Sequence, residues 1–434
     1  MTAVDPSSVS IGLDAAIVAA HQVAIRGPGV REDFRVAPTL AGLARLTERL
    51  APYAGSMVVV EPTGGTWLAL GHAVENAGCV FGLVKNTDSA RLRKAIAGAN
   101  KTDVIDAEML AQCREVLGVK RTKMPSPAVL GLRRALLRRH RGTVEAHRAE
   151  CRLWSLSMWA FPDVWRACGG HQLAQPVLGR WPELPALGRA HLDSIAEIVA
   201  AHRRDRDPRR RAERIRDAAR GWLLFWKNRI DIDLLAWETA EILDDIDLVD
   251  NRQKAATTKA VAIWQVSWPD DLLTSVPGIG AITAAATRAW WADAELSSPK
   301  QAAAFIGLNP SNWESGLSAS PSRPITKEGS PALRLAYYQA ANVARHYDPE
   351  LAAFYRKLMV DRHHNHISAT TAVARKLACR AWSVLDTRRP YELRDLDGNP
   401  IDAVEAKAIC DTLVVPQDVR RRSRARQRGR LSPD

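Results

Sequence analysis

Four carboxylates near the N-terminus constrain this chain more than any other feature. Asp14 ends one short apolar segment that is typical of a β-strand, and Glu61 ends a second one. Asp103 and Asp106 stand three residues apart where a helical pattern begins, so they share one helix face. Clustered carboxylates repel one another and therefore need cations, and an all-oxygen set suits magnesium. We predict a magnesium site of one or two ions at these four residues, with manganese as a substitute.

Charge and cysteine usage indicate the partner and the compartment. The chain carries 61 Lys and Arg against 48 Asp and Glu, a formal charge of +13. Such an excess favours a nucleic-acid partner, because phosphate contacts release counterions. The six cysteines form no CxxC pair, which argues against a zinc site and against a disulfide framework. We expect a cytoplasmic protein of a prokaryote with no membrane segment, and the acidic start predicts no signal peptide.

The order of elements predicts the fold of the first domain, residues 7–118. Strand and helix signals follow one another as strand, strand, helix, strand, helix, strand, helix. This order is close to that of a ribonuclease-H-like α/β domain, which places acids at the ends of neighbouring strands. Residues 119–270 read as a helical connector. Its basic amphipathic stretch at 129–156 fits a coiled coil, a helix along a phosphate backbone, or a solvated face on a structural helix.

Nine of the 14 tryptophans lie between Trp154 and Trp268, and we expect most of them to pack at helix interfaces. A single helix is predicted over 220–248. The last segment, 391–434, is a C-terminal extension that ends in an arginine-rich tail, which we expect to be disordered alone and attracted to nucleic acid.

Residues 271–390 form a third, mainly α-helical domain. Its first motif, Pro277-Gly278-Ile279-Gly280, is typical of a helix-hairpin-helix turn whose glycines leave backbone N–H groups open to a phosphate; a plain turn between helices is the alternative. A polar loop then holds Ser315 before a glycine, the pattern of an exposed nucleophile that needs a base or a metal for activation. Three cations downstream are candidates to hold the phosphate: Arg323, Lys327 and Arg334. The histidines at 363–366 favour a polar or phosphate-facing loop over a metal site.

These motifs together resemble a known family. The residues around Asp14, Glu61 and Asp103 to Asp106 look like the RuvC-like domain of the insertion-sequence one-hundred-and-ten family, the DEDD transposases related to the Piv invertases. A second set resembles the transposase domain of that family: Pro277-Gly278-Ile279-Gly280, Gly307-Leu308 with Pro310, Glu314-Ser315-Gly316, Thr326-Lys327-Glu328-Gly329 and Leu333-Arg334. The resemblance covers both ends of the chain, roughly 7–118 and 270–387. The segment from about 150 to 270 is longer and richer in Trp and Arg than in compact members.

The resemblance implies a mechanism and partners. Family members recombine DNA with a RuvC-like acid tetrad, matched here by Asp14, Glu61, Asp103 and Asp106, and with a serine, matched by Ser315, that joins DNA covalently. It also implies a structured noncoding guide RNA, and dimers or tetramers supported by the connector. A DNA recombinase that excises and inserts its own element is the leading hypothesis. The alternatives are a metal-dependent, structure-selective nuclease of the Holliday-junction type and a nucleic-acid-binding scaffold without chemistry.

Overall fold

The computed structural model describes residues 5–96, 102–202, 205–311 and 324–429. The chain divides into two compact units, Met1–Ser126 and Pro127–Asp434. The first unit is an α/β sandwich, whereas the second is helical, so the protein is mostly helical overall. The strands of the first unit are β1 Ser10–Asp14, β2 His21–Gly27, β3 Val30–Val36, β4 Met57–Val60 and β5 Val80–Leu83, and its helices are α1 Leu40–Leu50, α2 Thr66–Asn76, α3 Asn86–Ile96 and α4 Asp103–Leu117.

The five strands form one mixed sheet in the order β3-β2-β1-β4-β5. β1, β2 and β3 are an antiparallel meander, while β4 and β5 run parallel to β1. Parallel neighbours require crossover connections, which α1 and α2 supply. The arrangement is consistent with the predicted ribonuclease-H-like domain.

Side-chain alternation gives the sheet two buried faces. On one face, Ile11 and Leu13 of β1 pack with Val58 and Val60 of β4, and with apolar residues of α1 and α2. On the other, Val59 packs in a separate cluster with residues of α4. Because successive side chains of a strand point to opposite faces, even-numbered β1 residues and odd-numbered β4 residues face α4.

A glycine allows α4 to lie directly on β1. A Cβ atom at Gly12 would come within 1.9 Å of the Ala107 carbonyl oxygen and 2.3 Å of the Ala111 nitrogen. Further along α4, Arg114 donates to the Val9 carbonyl oxygen at 3.1 Å, near the start of β1. The helix therefore runs antiparallel to β1, and its first turn lies toward the carboxyl end of that strand.

Strand β3 was not predicted from the sequence. Four of its seven residues are charged, three of them consecutive, and only Phe34 and Val36 are buried. A strand at the sheet edge needs few apolar residues, so its pattern resembles a polar loop. The available signal was Pro28-Gly29 between β2 and β3, where Gly29 has a φ of +73°.

The second unit consists of helices around two buried cores. α5 and α11 lie side by side in antiparallel order: Arg139 donates to Thr257 at 3.2 Å, and Arg152 donates to Asp245 at 2.6 Å. One core lies among α5 to α11 and the other among α5 and α11 to α16. The helices are α5 Pro127–Ala160, α6 Pro162–Cys168, α7 His171–Arg180, α8 Leu184–Arg189, α9 Leu192–His202, α10 Pro208–Trp226, α11 Ile232–Ser267, α12 Ala281–Trp291, α13 Pro299–Ile306, α14 Pro331–Ala344, α15 Pro349–Val360, α16 His366–Thr387, α17 Ala403–Thr412 and α18 Gln417–Gly429.

Two predictions for this unit were wrong. The single helix expected over 220–248 is broken between α10 and α11, where Asn228 has a left-handed φ of 58°. The arginine-rich tail, expected to be disordered, contains the helix α18. Val419 of this helix packs on the core formed by α5 and α11 to α16, and Ser423 is buried. Neither residue gives a visible apolar period among so many arginines.

The tryptophans of the middle segment divide into two groups. Trp264 is buried, and Trp165, Trp181 and Trp222 pack against the α5–α11 core, as expected. Three others are at least half exposed: Trp154, Trp159 and Trp237. Within the part of the chain that the structure describes, no helix is both long and apolar enough to cross a membrane.

The contact at Gly12 predicts a strong effect of adding one methyl group. Gly12→Ala should lower the free energy of unfolding by about 1–3 kcal/mol or more, because the new Cβ displaces the α4 backbone. Urea denaturation and amide hydrogen exchange in α4 measure the effect. Gly65→Ser is the matched control, since Gly65 is the N-cap of α2 with open space around it, and serine is a favourable N-cap. Unchanged exchange in α4 of Gly12→Ala would contradict the close contact.

Candidate active-site residues

Asp14 is the last residue of β1 and Glu61 directly follows β4, so both acids lie at the same edge of the sheet. Leu13 pairs with Val60 in the register of β1 and β4, so the next residue on each strand is one of the two acids. By alternation, Asp14 shares a face with Gly12, which is the face that α4 covers. The fold therefore directs the two strand-end carboxylates toward α4.

Asp103 and Asp106 lie in the first turn of α4. Thr102 is the N-cap, and its hydroxyl accepts a hydrogen bond from the Ile105 amide at 3.3 Å. Asp103 is exposed, whereas Asp106 is buried, with 9% of its surface exposed. Because α4 runs antiparallel to β1, this turn lies at the strand edge that carries the other two acids. All four candidate carboxylates thus belong to one edge of the first unit.

Neighbouring polar and cationic side chains already contact three of these acids. Ser89 of α3 donates to Glu61 Oε2 at 2.9 Å. Arg93, one turn later on α3, lies with Nη1 3.4 Å from Asp106 Oδ1. Arg35 of β3 lies with Nη2 4.0 Å from Asp103 Oδ2.

No sequence motif indicated Ser89, Arg93 or Arg35 as site residues. Only the packing of α3 and the pairing of β3 bring them to this edge. Arg35 is further oriented by Gln22, which accepts from its Nε at 2.8 Å and pairs with Asp14 in the β1–β2 register.

The negative charge at this edge affects the pKa of a cysteine of α4. Burial raises the pKa of the Cys113 thiol to about 11, and the negative charge of Glu61 adds to the rise. The Glu61 carboxylate is thus close enough to act on the buried face of α4.

The acids fit a divalent cation by chemistry but not by position. Oxygen donors alone suit a hard cation. In the described ranges, however, no group of three or more His, Cys, Asp or Glu side chains is arranged to hold a metal ion. Arg93 and Arg35 supply positive charge at Asp106 and Asp103 instead. A cation bound there would take over the role of the two arginines.

In the second unit, the two glycines of the predicted hairpin motif differ in role. Gly278 has a φ of +84°, and a Cβ there would lie 2.3 Å from the Ala340 carbonyl oxygen, so it packs tightly on α14. Gly280 is the exposed N-cap of α12 with open space around it. The first amides of α12 have no acceptor within the helix and are directed outward beside Gly280.

Ser315 and Arg323 lie outside the described residues, but the two flanks of their segment are well defined. Ser311 donates through its amide and its hydroxyl to the Pro324 carbonyl oxygen, at 2.9 and 3.0 Å. Pro310 and Ile325 form an antiparallel bridge, and the Thr326 amide donates to the Asn309 backbone carbonyl oxygen at 2.9 Å. The two arms, 307–311 and 324–329, therefore form a hydrogen-bonded stem.

The stem is closed by two glycines at its base. A Cβ at Gly307 would lie 2.0 Å from the Glu328 carbonyl oxygen, and one at Gly329 would lie 2.1 Å from the Phe305 carbonyl oxygen. Both glycines have positive φ values, which other residues rarely adopt. Gly307 and Gly329, which both belong to the motifs that resemble the family, therefore allow the stem to pack closely at the end of α13.

Arg334 binds backbone rather than projecting freely toward solvent. Its Nη1 donates to the carbonyl oxygens of Ile306 and Lys327 at 3.2 and 3.1 Å, and to that of Glu328 at 3.4 Å. Burial lowers the pKa of its guanidinium. Lys327, by contrast, is exposed and adopts a φ of 56°. The exposed cation at the stem is thus Lys327, while Arg334 fastens the stem to α13.

Two buried polar atoms near the stem were not anticipated. Asn309 Oδ1 and His140 Nδ1 have no hydrogen-bond partner among the described residues. Burial lowers the pKa of His140, and the charges of Arg139 and Arg334 lower it further, so His140 of α5 lies near the base of the stem. No local sequence pattern links residue 140 to residue 334.

The comparisons with known proteins match both sets of residues. A family model described as a transposase of the DEDD type in the IS110 group matches residues 11–156, which include all four acids. A second model, described as the transposase IS116/IS110/IS902 family, matches residues 270–356, which include Gly278, Ser315 and Arg334. The chain belongs to the IS110 family of transposases. This transposase is accordingly an enzyme that cleaves and recombines DNA, and DEDD domains typically use divalent metal ions. A comparison with curated proteins finds no match.

Residues 157–269 fall between the two matched segments. They contain most of the α5–α11 core, which is therefore the part of this transposase that the family models do not describe.

The backbone contacts of Arg334 predict a local loss of structure on substitution. Arg334→Gln should speed amide exchange at Thr326 and Lys327, because hydrogen bonds to a charged donor contribute about 1.5–3 kcal/mol. Hydrogen exchange read by mass spectrometry measures the change. Lys327→Gln is the control, since it removes one side-chain positive charge but keeps the Lys327 carbonyl oxygen that Arg334 binds. Equal protection in both variants would show that Arg334 does not fasten the stem.

Proposed function

We propose that this transposase excises and inserts its own mobile element through attack of a serine hydroxyl on a DNA phosphate. Support comes from the position of Asp14, Glu61, Asp103 and Asp106 at one edge of the first unit, and from Ser315, which lies in sequence between the two hydrogen-bonded arms of the stem in the second unit. Chemistry of this kind needs charge neutralisation at the phosphate and an activated nucleophile.

The four acids are proposed to hold magnesium, with Asp14 and Glu61 fixed by strand ends and Asp103 and Asp106 fixed by α4. When bound, the metal supplies a Lewis acid that stabilises negative charge on the scissile phosphate. Before it binds, Arg93 and Arg35 keep Asp106 and Asp103 paired. Ser89 holds the Glu61 carboxylate in orientation through its hydrogen bond.

Ser315 is the proposed nucleophile. Its oxygen forms a bond to phosphorus, the serine proton passes to a base, and the bond from phosphorus to the 3′ oxygen breaks. The 3′ oxygen leaves and is protonated, and the 5′ side of the break stays on serine as a phosphodiester. A free 3′ hydroxyl of the exchanged strand then attacks the same phosphorus and releases the serine. Bond energy is conserved, which agrees with the lack of a GxxxxGK[ST] run in the sequence.

Cations and amides of the second unit are proposed to hold the DNA backbone. Lys327 and Arg323 supply charge, while Gly278 and Gly280 shape a helix-hairpin-helix turn that presents the first amides of α12. Arg334 contributes by positioning the stem. A phosphate fits such a helix start because amide donors and the helix dipole both favour negative charge.

The organisation that we propose is a RuvC-like domain at 7–118, a coiled-coil connector with an insertion at 119–270, a serine transposase domain at 271–390, and a C-terminal extension at 391–434. The connector, which contains the antiparallel pair α5 and α11, is the proposed site of homodimer or tetramer assembly. Within such an assembly, the acids of one subunit would act with the serine of another. A structured noncoding RNA of the element is the proposed guide to donor and target DNA.

Loss of any one carboxylate is expected to abolish strand cleavage. Asp14→Asn and Asp106→Asn should each reduce cleavage of the element's end by about 100-fold or more, because one oxygen ligand is lost without a change of shape. Gel analysis of a labelled DNA in magnesium measures the rate. Glu108→Gln is a matched control, since Glu108 lies on α4 but pairs with Arg26. Normal recombination in both Asp variants would favour the non-catalytic scaffold.

A covalent adduct distinguishes the recombinase from the nuclease. Ser315→Ala should eliminate the protein–DNA adduct that denaturing gels detect, whereas Ser318→Ala should retain it. Cleavage by Ser315→Ala at a normal rate, with hydroxide as the nucleophile, would support the structure-selective nuclease instead.

Sequencing of RNA that purifies with the active protein tests the proposed guide RNA. The absence of RNA from the element would contradict guidance.

A further inference from the structure

A half-buried arginine lies at the end of α14 without an acidic partner. Arg345 stacks over the Tyr355 ring, with its guanidinium carbon 4.4 Å from the ring centroid. Two of its nitrogens donate to Asn342 Oδ1, at 3.0 and 2.9 Å. Across the described ranges, no carboxylate forms an ion pair with it. A half-buried charge held only by a ring and an amide is incompletely compensated.

Helix α18 brings two more arginines to the same place. Its buried residue Ser423 accepts a hydrogen bond from the His366 amide at 3.0 Å, which fixes α18 against the start of α16. Arg420 and Arg424 lie on either side of Ser423 and are both exposed. They are four residues apart, so they share one face of the helix.

The positive charges of these arginines affect the pKa values of two nearby histidines. Burial lowers the pKa of His366, and the charges of Arg345 and Arg424 lower it further. Burial likewise lowers the pKa of His346, with further contributions from Arg345, Lys407 and Arg420. Three arginines from two helices therefore act on the same small region. The Asp411 carboxylate, which also acts on His346, is paired with Lys407.

The remaining side chains at this position are polar and fixed. The Tyr355 hydroxyl lies 2.9 Å from His366 Nδ1, and the Thr370 hydroxyl lies 3.3 Å from the same nitrogen. Arg345 and Tyr355 thus belong to a network that spans α14, α15 and α16. Such a network holds the guanidinium in one orientation before any ligand arrives.

We propose that Arg345, Arg420 and Arg424 form a binding site for a backbone phosphate of the nucleic acid on which this transposase acts. A phosphate accepts hydrogen bonds from several guanidinium groups at once and supplies the negative charge that the site lacks. The proposal rests on the proposed function only in taking nucleic acid as the partner. Arg420 and Arg424 lie beyond both segments that the family models match.

The site implies that the arginines of α18 are unequal. Arg421 is exposed, and Arg422 is paired with Asp418 at 2.7 Å. The double variant R421Q/R422Q therefore removes the same charge from the same helix as R420Q/R424Q but leaves the proposed site intact. The comparison of these two double variants separates a built site from general attraction to a basic helix.

The experiment measures binding of the full-length protein to fluorescein-labelled duplex DNA and, separately, to a labelled RNA hairpin over a range of salt concentrations. For R420Q/R424Q on DNA, the slope of log K against log salt should become shallower by about 0.9, because the contact to the single phosphate of the site is lost. R421Q/R422Q should retain a slope close to that of the unmodified protein. R345Q should lose about 0.9.

The outcomes are distinct. A shallower slope for R420Q/R424Q on either nucleic acid supports the site, and the arm that changes identifies whether DNA or RNA supplies the phosphate. Equal slopes for the two double variants on both probes overturn it. R345Q also removes packing on Tyr355, and Arg420 Nε donates to the Val415 carbonyl oxygen at 2.8 Å, so the unfolding temperature is measured for each variant. The exposed pair Arg420 and Arg424 carries the test. Binding is read without strand cleavage, so failure here is separate from failure of Ser315 or of the acids.

Discussion

The approach of helix α4 to strand β1 is the contact on which the candidate active site depends. Without a side chain at Gly12, the helix backbone lies directly on the strand, and the Arg114 contact sets its direction. Two acids on the strands and two on the helix then meet at one edge. Four like charges at one edge are unfavourable unless cations accompany them. In this structure Arg93 and Arg35 provide positive charge beside Asp106 and Asp103.

Much of the fold follows from periodicity in the sequence. The strands predicted to end at Asp14 and at Glu61 agree with β1 and β4, and the helix predicted to begin near Asp103 agrees with α4. The failures occurred where tertiary contacts replace that pattern. β3 is an edge strand with two buried residues, and the contacts of α18 include the packing of Val419 and the buried Ser423. A break such as that at Asn228 requires a left-handed residue that no local rule demands.

The candidate site was predictable in its acids but not in their partners. Strand ends and helix starts can be read from the chain, so the four carboxylates could be assigned to one edge in advance. Arg35, Ser89 and Arg93 reach that edge only through sheet pairing and helix packing. Arg334 illustrates the converse: a cation beside a candidate serine suggests a phosphate, yet its guanidinium is engaged by carbonyl oxygens. A residue's chemistry can be read from sequence, whereas its availability depends on the fold.

The stem formed by residues 307–311 and 324–329 has a consequence for engineering. Ser311 and Pro324 are hydrogen-bonded neighbours, and twelve residues connect them. Because the chain enters and leaves at adjacent points, the entropy of closing the connection rises only slowly with its length. The intervening stretch can therefore be exchanged as a cassette between relatives, or lengthened, while the helical scaffold keeps its shape.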